Sequence, residues 1–222
     1  RILTDSSDHT ARVWDLARVQ QPAGELSVIV PGGDLNAAQW HSDGDKILLA
    51  GEAGVAGVWD QDAHAILELA VGGADIRDAA WNHAEDAIAT ADDVGVLRIF
   101  DATTGEQVIS FTGHTDYVLS VAWSPDDTHL LSASSDDTAR VWDAATGTGA
   151  EIVTLAHEGQ VNCAVWHPDG RRILTCSEDG TAVLWNAATG ERQLTFEGHG
   201  TSVTNGRWNA AADRLLTTSM DK

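Results

Sequence analysis

Basic side chains are scarce in this sequence. Lys46 and Lys222 are its only lysines, and 13 Lys and Arg stand against 34 Asp and Glu, a formal net charge of -21. A surface of that sign repels phosphate backbones, whose binding depends on Lys and Arg displacing counterions, so nucleic acid is excluded as a partner class. Cysteine is nearly absent as well. Cys163 and Cys176 lie in separate apolar runs without CxxC spacing, which excludes a Cys-ligated zinc site and a dithiol redox motif. Pairing those runs across the turn at Pro168-Asp169-Gly170 sets Cys163 opposite Thr175, so two buried free thiols are expected and not a disulfide. A reducing, cytoplasmic setting fits. No apolar run approaches the ~18 residues of a membrane span, and no basic-then-apolar start marks a signal peptide.

What is abundant is repetition. Trp14-Asp15, Trp59-Asp60, Phe100-Asp101, Trp142-Asp143 and Trp185-Asn186 recur at steps of 45, 41, 42 and 43 residues. A second series, Trp40, Trp81, Trp123, Trp166 and Trp208, runs in phase at steps of 41, 42, 43 and 42. A fixed period in this range marks a repeat architecture in which each unit buries its apolar face against the next.

The clearest unit runs from Gly113 to Gly147. Val118-Leu119-Ser120-Val121-Ala122-Trp123, Leu130-Leu131-Ser132-Ala133-Ser134 and Thr138-Ala139-Arg140-Val141-Trp142 are short β-prone runs divided by Pro, Asp and Gly, which predicts antiparallel hairpins. A fourth strand follows each Trp-Asp, as in Gln107-Val108-Ile109-Ser110-Phe111 after Phe100. The segment resembles the WD-repeat β-propeller family, in which each repeat is a four-stranded antiparallel blade. The resemblance covers essentially the whole chain and implies an all-β propeller of about five blades, residues 1–222 forming one region.

The resemblance also implies a buried polar set in each blade: the His of Gly-His, a second-strand Ser or Thr, a turn Asp and the third-strand Trp. One blade supplies His114, Ser132, Asp136 and Trp142, and the next His157, Thr175, Asp179 and Trp185. Thr4, Asp8 and Trp14 match three members near the start, and His199, Thr217 and Asp221 match three near the end. Carboxylate to imidazole to hydroxyl to indole is a chain in which every group has a partner. The blade of Trp59 lacks it, having Leu49, Ala53 and Gly32-Gly33 where hydroxyl, carboxylate and Gly-His are expected. The blade of Phe100 reads Gly72-Gly73 in place of Gly-His and is expected to carry an extra residue near Asp93-Val94-Gly95. Arg12, Arg98 and Arg140, two positions before the blade aromatic, are expected to point outward and cover apolar surface with their stems.

Chain ends inside blades lead to the expectation that the missing blades come from the rest of a longer polypeptide or from another copy, since family propellers most often close with seven. Ser or Thr, His and Asp recur together in successive blades and with a Trp, which suits a structural network and not a unique hydrolase triad. No HxH, HExxH, DxDxDG, Walker or kinase motif is present, so no metal, cofactor or catalytic residue is assigned and the protein reads as a non-enzyme. In the family, the loops entering the first strand and those between second and third strands form the partner-binding top face. Counting back from each first-strand Trp places Asp34, Asp75, Tyr117, Gln160 and Ser202 at one variable position and Asn36, Arg77, Leu119, Asn162 and Thr204 at another. Arg77, Tyr117 and Leu119 are the expected anchors, because Arg and aromatic side chains dominate interface energetics. The expected function is a protein-interaction scaffold or ligand-sensing module for a peptide or domain of basic character, of the kind that bacterial relatives attach to signalling ATPases or kinases. An excised fragment that assembles into oligomers and a propeller hydrolase are the alternatives.

Overall fold

The computed structural model describes residues 2–6, 9–14, 25–29 and 31–221. Those residues form an all-β structure whose one short helical segment is a 3-10 turn, Glu52–Gly54. β1 (Ile2–Ser6), β2 (Thr10–Trp14) and β3 (Glu25–Ile29) make a three-stranded sheet. β4 (Leu35–Trp40), β5 (Lys46–Gly51), β6 (Ala56–Asp60) and β7 (Ala65–Glu68) make a four-stranded one, as do β8 (Ile76–Trp81), β9 (Ala87–Asp92), β10 (Val96–Asp101) and β11 (Gln107–Thr112). The same plan recurs in β12 (Val118–Trp123), β13 (His129–Ser134), β14 (Thr138–Asp143) and β15 (Glu151–Ala156), and in β16 (Val161–Trp166), β17 (Arg172–Ser177), β18 (Ala182–Asn186) and β19 (Arg192–Phe196). β20 (Val203–Trp208) and β21 (Leu215–Ser219) form a hairpin. Every sheet is a meander of sequential neighbours, the blade of a β-propeller.

Each strand's sequence follows from its place in the meander. The second strand is covered on both faces, and β5, β9, β13 and β17 share one burial pattern in which the last five of six residues are buried. That is why they read as continuous small or apolar runs, KILLAG, AIATAD, HLLSAS and RILTCS, without the alternation of a half-exposed strand. The fourth strand lies at a sheet edge, so β11, β15 and β19 alternate or are exposed throughout.

The chain divides into two compact units, residues 1–90 with 99–108, and residues 91–98 with 109–222. In the first unit, Ile47, Leu49 and Trp59 pack with Ala11, Val13 and Ile29, while Leu48, Ala50 and Val58 pack with Ile76, Ala79, Trp81, Ile88 and Phe100. In the second, Leu131, Ala133, Val141 and Leu155 pack with Val161, Ala164, Ile173, Val183 and Trp185. The core is therefore sheet against sheet, repeated.

Two bulges recur in register. One follows the first residue of the first strand, at Leu35/Ala37, Val118/Ser120, Val161/Cys163 and Val203/Asn205. The other precedes the third-strand aromatic, at Val13/Trp14, Val58/Trp59, Val141/Trp142 and Leu184/Trp185. A bulge adds an unpaired residue and re-aims the side chains beyond it. The first bulge corrects the cysteine register: Cys163 faces Cys176, and Ala164 faces Thr175. Both thiols are free and buried, and the hydrogen bond that Cys176 donates to Cys163, together with burial, pushes the Cys176 thiol up.

Candidate functional site

In the β12–β15 blade the second-strand hydroxyl is the hub. Trp142 Nε1 donates to Ser132 Oγ at 2.8 Å, and Ser132 Oγ lies 2.7 Å from His114 Nε2, to which it donates. His114 Nδ1 in turn donates to Asp136 Oδ2 at 2.8 Å. Asp136 also accepts from the Thr115 backbone and from the Thr138 backbone and hydroxyl. This arrangement needs a neutral imidazole protonated at Nδ1. Burial lowers the His114 pKa against the pull of Asp136, in keeping with that tautomer. Burial would raise Asp136, but its hydrogen bonds from Thr138 and His114 outweigh it and hold the carboxyl below its usual range.

The β16–β19 blade repeats the geometry. Trp185 Nε1 donates to Thr175 Oγ1 at 2.7 Å, Thr175 Oγ1 meets His157 Nε2 at 2.7 Å, and His157 Nδ1 donates to Asp179 at 2.8 Å. Burial opposes the ionised form of Asp179, yet donors from Thr181 and His157 hold it down to about 2. In the β20–β21 hairpin His199 lies 3.0 Å from Asp221 and 2.9 Å from Thr217. Asp8 and the side chain of Thr4 fall outside the described residues; Trp14 is half-buried on β2.

The arginines require a correction. Arg98 and Arg140 do not simply point outward: their side chains are 17% and 16% exposed and ion-paired. Arg140 donates to Glu151 at 2.7 Å, approaches Asp136 at 3.4 Å, and holds its guanidinium carbon 5.9 Å from the Trp142 ring centre. Arg12 is half-buried, with Nε 3.4 Å from Thr10 Oγ1. Arg192, which sequence spacing did not single out because it sits on the fourth strand, lies 4.9 Å over Trp185. A cation beside the third-strand indole is thus supplied from within the chain in both complete blades.

Two further readings are corrected. Trp81 to Phe100 spans the same interval as Trp123 to Trp142, so the Phe100 blade carries no extra residue. Val94 takes the Asp136 position and Asp92 the Ser134 position. Asp92 is fully buried, ion-paired with Arg98, and accepts the Val94 and Val96 amides at 3.1 and 2.7 Å, while the buried Thr90 hydroxyl has no hydrogen-bond partner among the described residues. In the Trp59 blade the position of Gly-His belongs to Val30-Pro31 and not to Gly32-Gly33, counted from Trp40 as Gly113-His114 is counted from Trp123. Leu49, Ala53, Val55 and Gly57 replace Ser132, Asp136, Thr138 and Arg140.

The loop residues are held in different ways. In the first unit Asp34 and Arg77 are half-buried, Asn36 donates to Ile76 O at 2.9 Å, and Asp75 accepts the Ala53 amide at 2.8 Å. His9 approaches Asp34 at 2.5 Å. In the second unit Gln160 donates to Asn162 at 2.9 Å, and Asn162 donates to Ser202 Oγ and Val203 O, both at 2.9 Å. Thr204 donates to Thr218 O at 3.2 Å. Tyr117 is 47% exposed although the adjacent Val118 is fully buried, and Leu119 is half-buried. Gln160, Asn162 and Ser202 are brought together by direct bonds, whereas Tyr117 projects from its loop.

The family model described as "WD domain, G-beta repeat" matches residues 105–143 and 149–186. The chain carries WD repeats. Over 47 residues, 20% of this chain and 8% of the relative, it is 47% identical to "WD repeat-containing protein 1" of Bos taurus. It is 35% identical over 60 residues to "Nuclear distribution protein nudF 2" of Penicillium rubens, 27% of this chain and 13% of that protein. It is 47% identical over 49 residues to "Protein transport protein SEC13" of Chaetomium globosum, 19% of this chain and 17% of that protein. The matched stretches are thus a small part of each relative's length. WD-repeat proteins in general bind protein partners. Among the described residues no helix is long and apolar enough to cross a membrane.

Proposed function

We propose that the chain is a non-catalytic interaction module that binds a peptide or domain of basic character through the loops preceding its first strands and linking its second and third strands. The observation that carries this reading is the contrast at Tyr117. An aromatic side chain 47% exposed stands three residues beyond His114, which is 7% exposed and bonded on both ring nitrogens. An exposed aromatic on an immobilised loop loses little entropy on binding, the property of an interface anchor. The net charge of -21 favours a basic partner and steers its approach. Two of the relatives are named for nuclear distribution and protein transport, and neither name states a reaction. A regulatory sensor module of a bacterial cytoplasmic signalling protein is the specific version proposed.

The test is capture of partner by the protein carrying Tyr117→Ala and Arg77→Glu, separately and together. Loss of a specific partner in either variant, with unfolding midpoints unchanged, is the expected result. Undiminished capture by the double variant refutes the assignment of binding to these loops.

A further inference from the structure

The complete blades set a template that the Trp59 blade breaks in one informative way. Trp142 has Arg140 beside its ring and Trp185 has Arg192. Trp59 has Gly57 at the Arg140 position, and a side chain cannot be built there: a Cβ on Gly57 would lie 2.2 Å from the Leu67 carbonyl oxygen. The His, hydroxyl, Asp and Thr that crowd Trp142 are likewise replaced, by Pro31, Leu49, Ala53 and Val55. What remains is a cavity of about 190 Å³ lined by Pro31, Gly54, Val55, Trp59, Glu68 and Leu69 among others. Glu68 pairs directly opposite Gly57 in the β6–β7 ladder, is exposed, and makes no hydrogen bond or ion pair among the described residues. The blade has kept the indole, placed a carboxylate beside it and deleted the cation.

We infer that this cavity is a receptor for an arginine side chain of a partner, its guanidinium seated against the Trp59 ring and paired with Glu68. The chemistry of the cavity selects that group. The intact blade shows a guanidinium against the same indole with a carboxylate as its second contact, and a planar weakly hydrated cation suits an aromatic face backed by apolar walls better than an ammonium does. The aliphatic stem would cover Val55 and Leu69, as Arg stems do on apolar surface. The inference rests on the proposed binding of a basic partner and names the chemistry of one contact, made within the first unit.

The test is a ¹H–¹⁵N spectrum of the protein with the Trp59 indole signal identified by its loss in Trp59→Phe. Titration with N-acetyl-arginine methylamide is expected to shift that signal saturably, with Kd in the millimolar range, while the Trp142 signal stays in place. The neutral isostere N-acetyl-citrulline methylamide is expected to leave both unmoved. Glu68→Gln is expected to weaken binding about two- to five-fold, as loss of one exposed ion pair does. Glu68→Arg, at an exposed position, is expected to shift the Trp59 signal with no ligand present and to abolish the response to the arginine probe. Silence of Trp59 towards the arginine probe, or an equal response to citrulline, overturns the inference. If that happens while Tyr117→Ala still loses its partner, the arginine receptor falls and the loop-binding reading stands.

Discussion

Ser132→Ala removes one oxygen from a position with no exposed surface. If apolar packing alone held the β12–β15 blade, a methyl in that place would be neutral or slightly favourable. The structure argues otherwise, because that oxygen accepts the Trp142 indole N–H at 2.8 Å and serves the His114 imidazole at 2.7 Å. Trp142 is 1% exposed and His114 7%, so water cannot readily replace the lost partner. Each buried polar group left unpaired costs about 1–3 kcal/mol, which puts the substitution at roughly 2–6 kcal/mol. With a urea slope of about 1–3 kcal/mol/M, the midpoint should fall on the order of 1–2 M at unchanged slope. The control is Ser120→Ala in the same unit, whose buried hydroxyl has no hydrogen-bond partner among the described residues and should be lost without penalty. Urea unfolding followed by tryptophan fluorescence distinguishes the two. Equal midpoints for the Ser132 and Ser120 variants would refute the claim that the hydroxyl is a hub.

Burial holds His114 and His157 below the ordinary histidine pKa, so their contribution to stability is complete above about pH 6.5 and is lost as pH falls from there. Asp136 and Asp179, held below their unfolded value of 3.8, add a second loss below it; in about 0.5 M salt, which screens the net charge, the melting temperature should fall from pH 8 to 5.5 and again to pH 3, and a rise over the first interval would contradict the assignment. Gly57→Ala should destabilise the first unit by roughly 2 kcal/mol or more, because its Cβ meets the Leu67 carbonyl at 2.2 Å and strand backbone cannot yield cheaply; an unfolding midpoint within error of the parent would show that β6 and β7 separate easily. Cys163 and Cys176, both buried, should react with a thiol reagent only after denaturation, and rapid reaction of native protein would show that β16 and β17 open.

The parts of this fold written in side-chain identity were legible. Trp123 and Trp142 locate the first and third strands, RILTCS reads as an apolar strand, and the set that the WD-repeat resemblance implies, His114, Ser132, Asp136 and Trp142, is one bonded chain in the structure. What escaped was written in the backbone. The bulge after Val161 carries no distinctive residue, yet it shifts pairing by one and sets Cys163 opposite Cys176. Substitution also hid structure: Asp92 anchors its turn and Arg98 from a position where other blades carry serine, so a search for aspartate at the usual place suggested an insertion that does not exist. Arg140 looked like a surface residue because its partner Glu151 becomes a neighbour only once the third strand pairs with the fourth. The loop positions were countable, but which of them would bond to one another and which would project, as Tyr117 does, depends on tertiary geometry that no period encodes.

If a shared hydroxyl fixes the indoles inside the blades, hydrogen exchange at the indole nitrogens reads this out directly. Trp142 and Trp185, which donate to Ser132 and Thr175, should exchange slowly, while Trp59, with Leu49 where the acceptor would stand, should exchange far faster. Comparable rates at all three would contradict it.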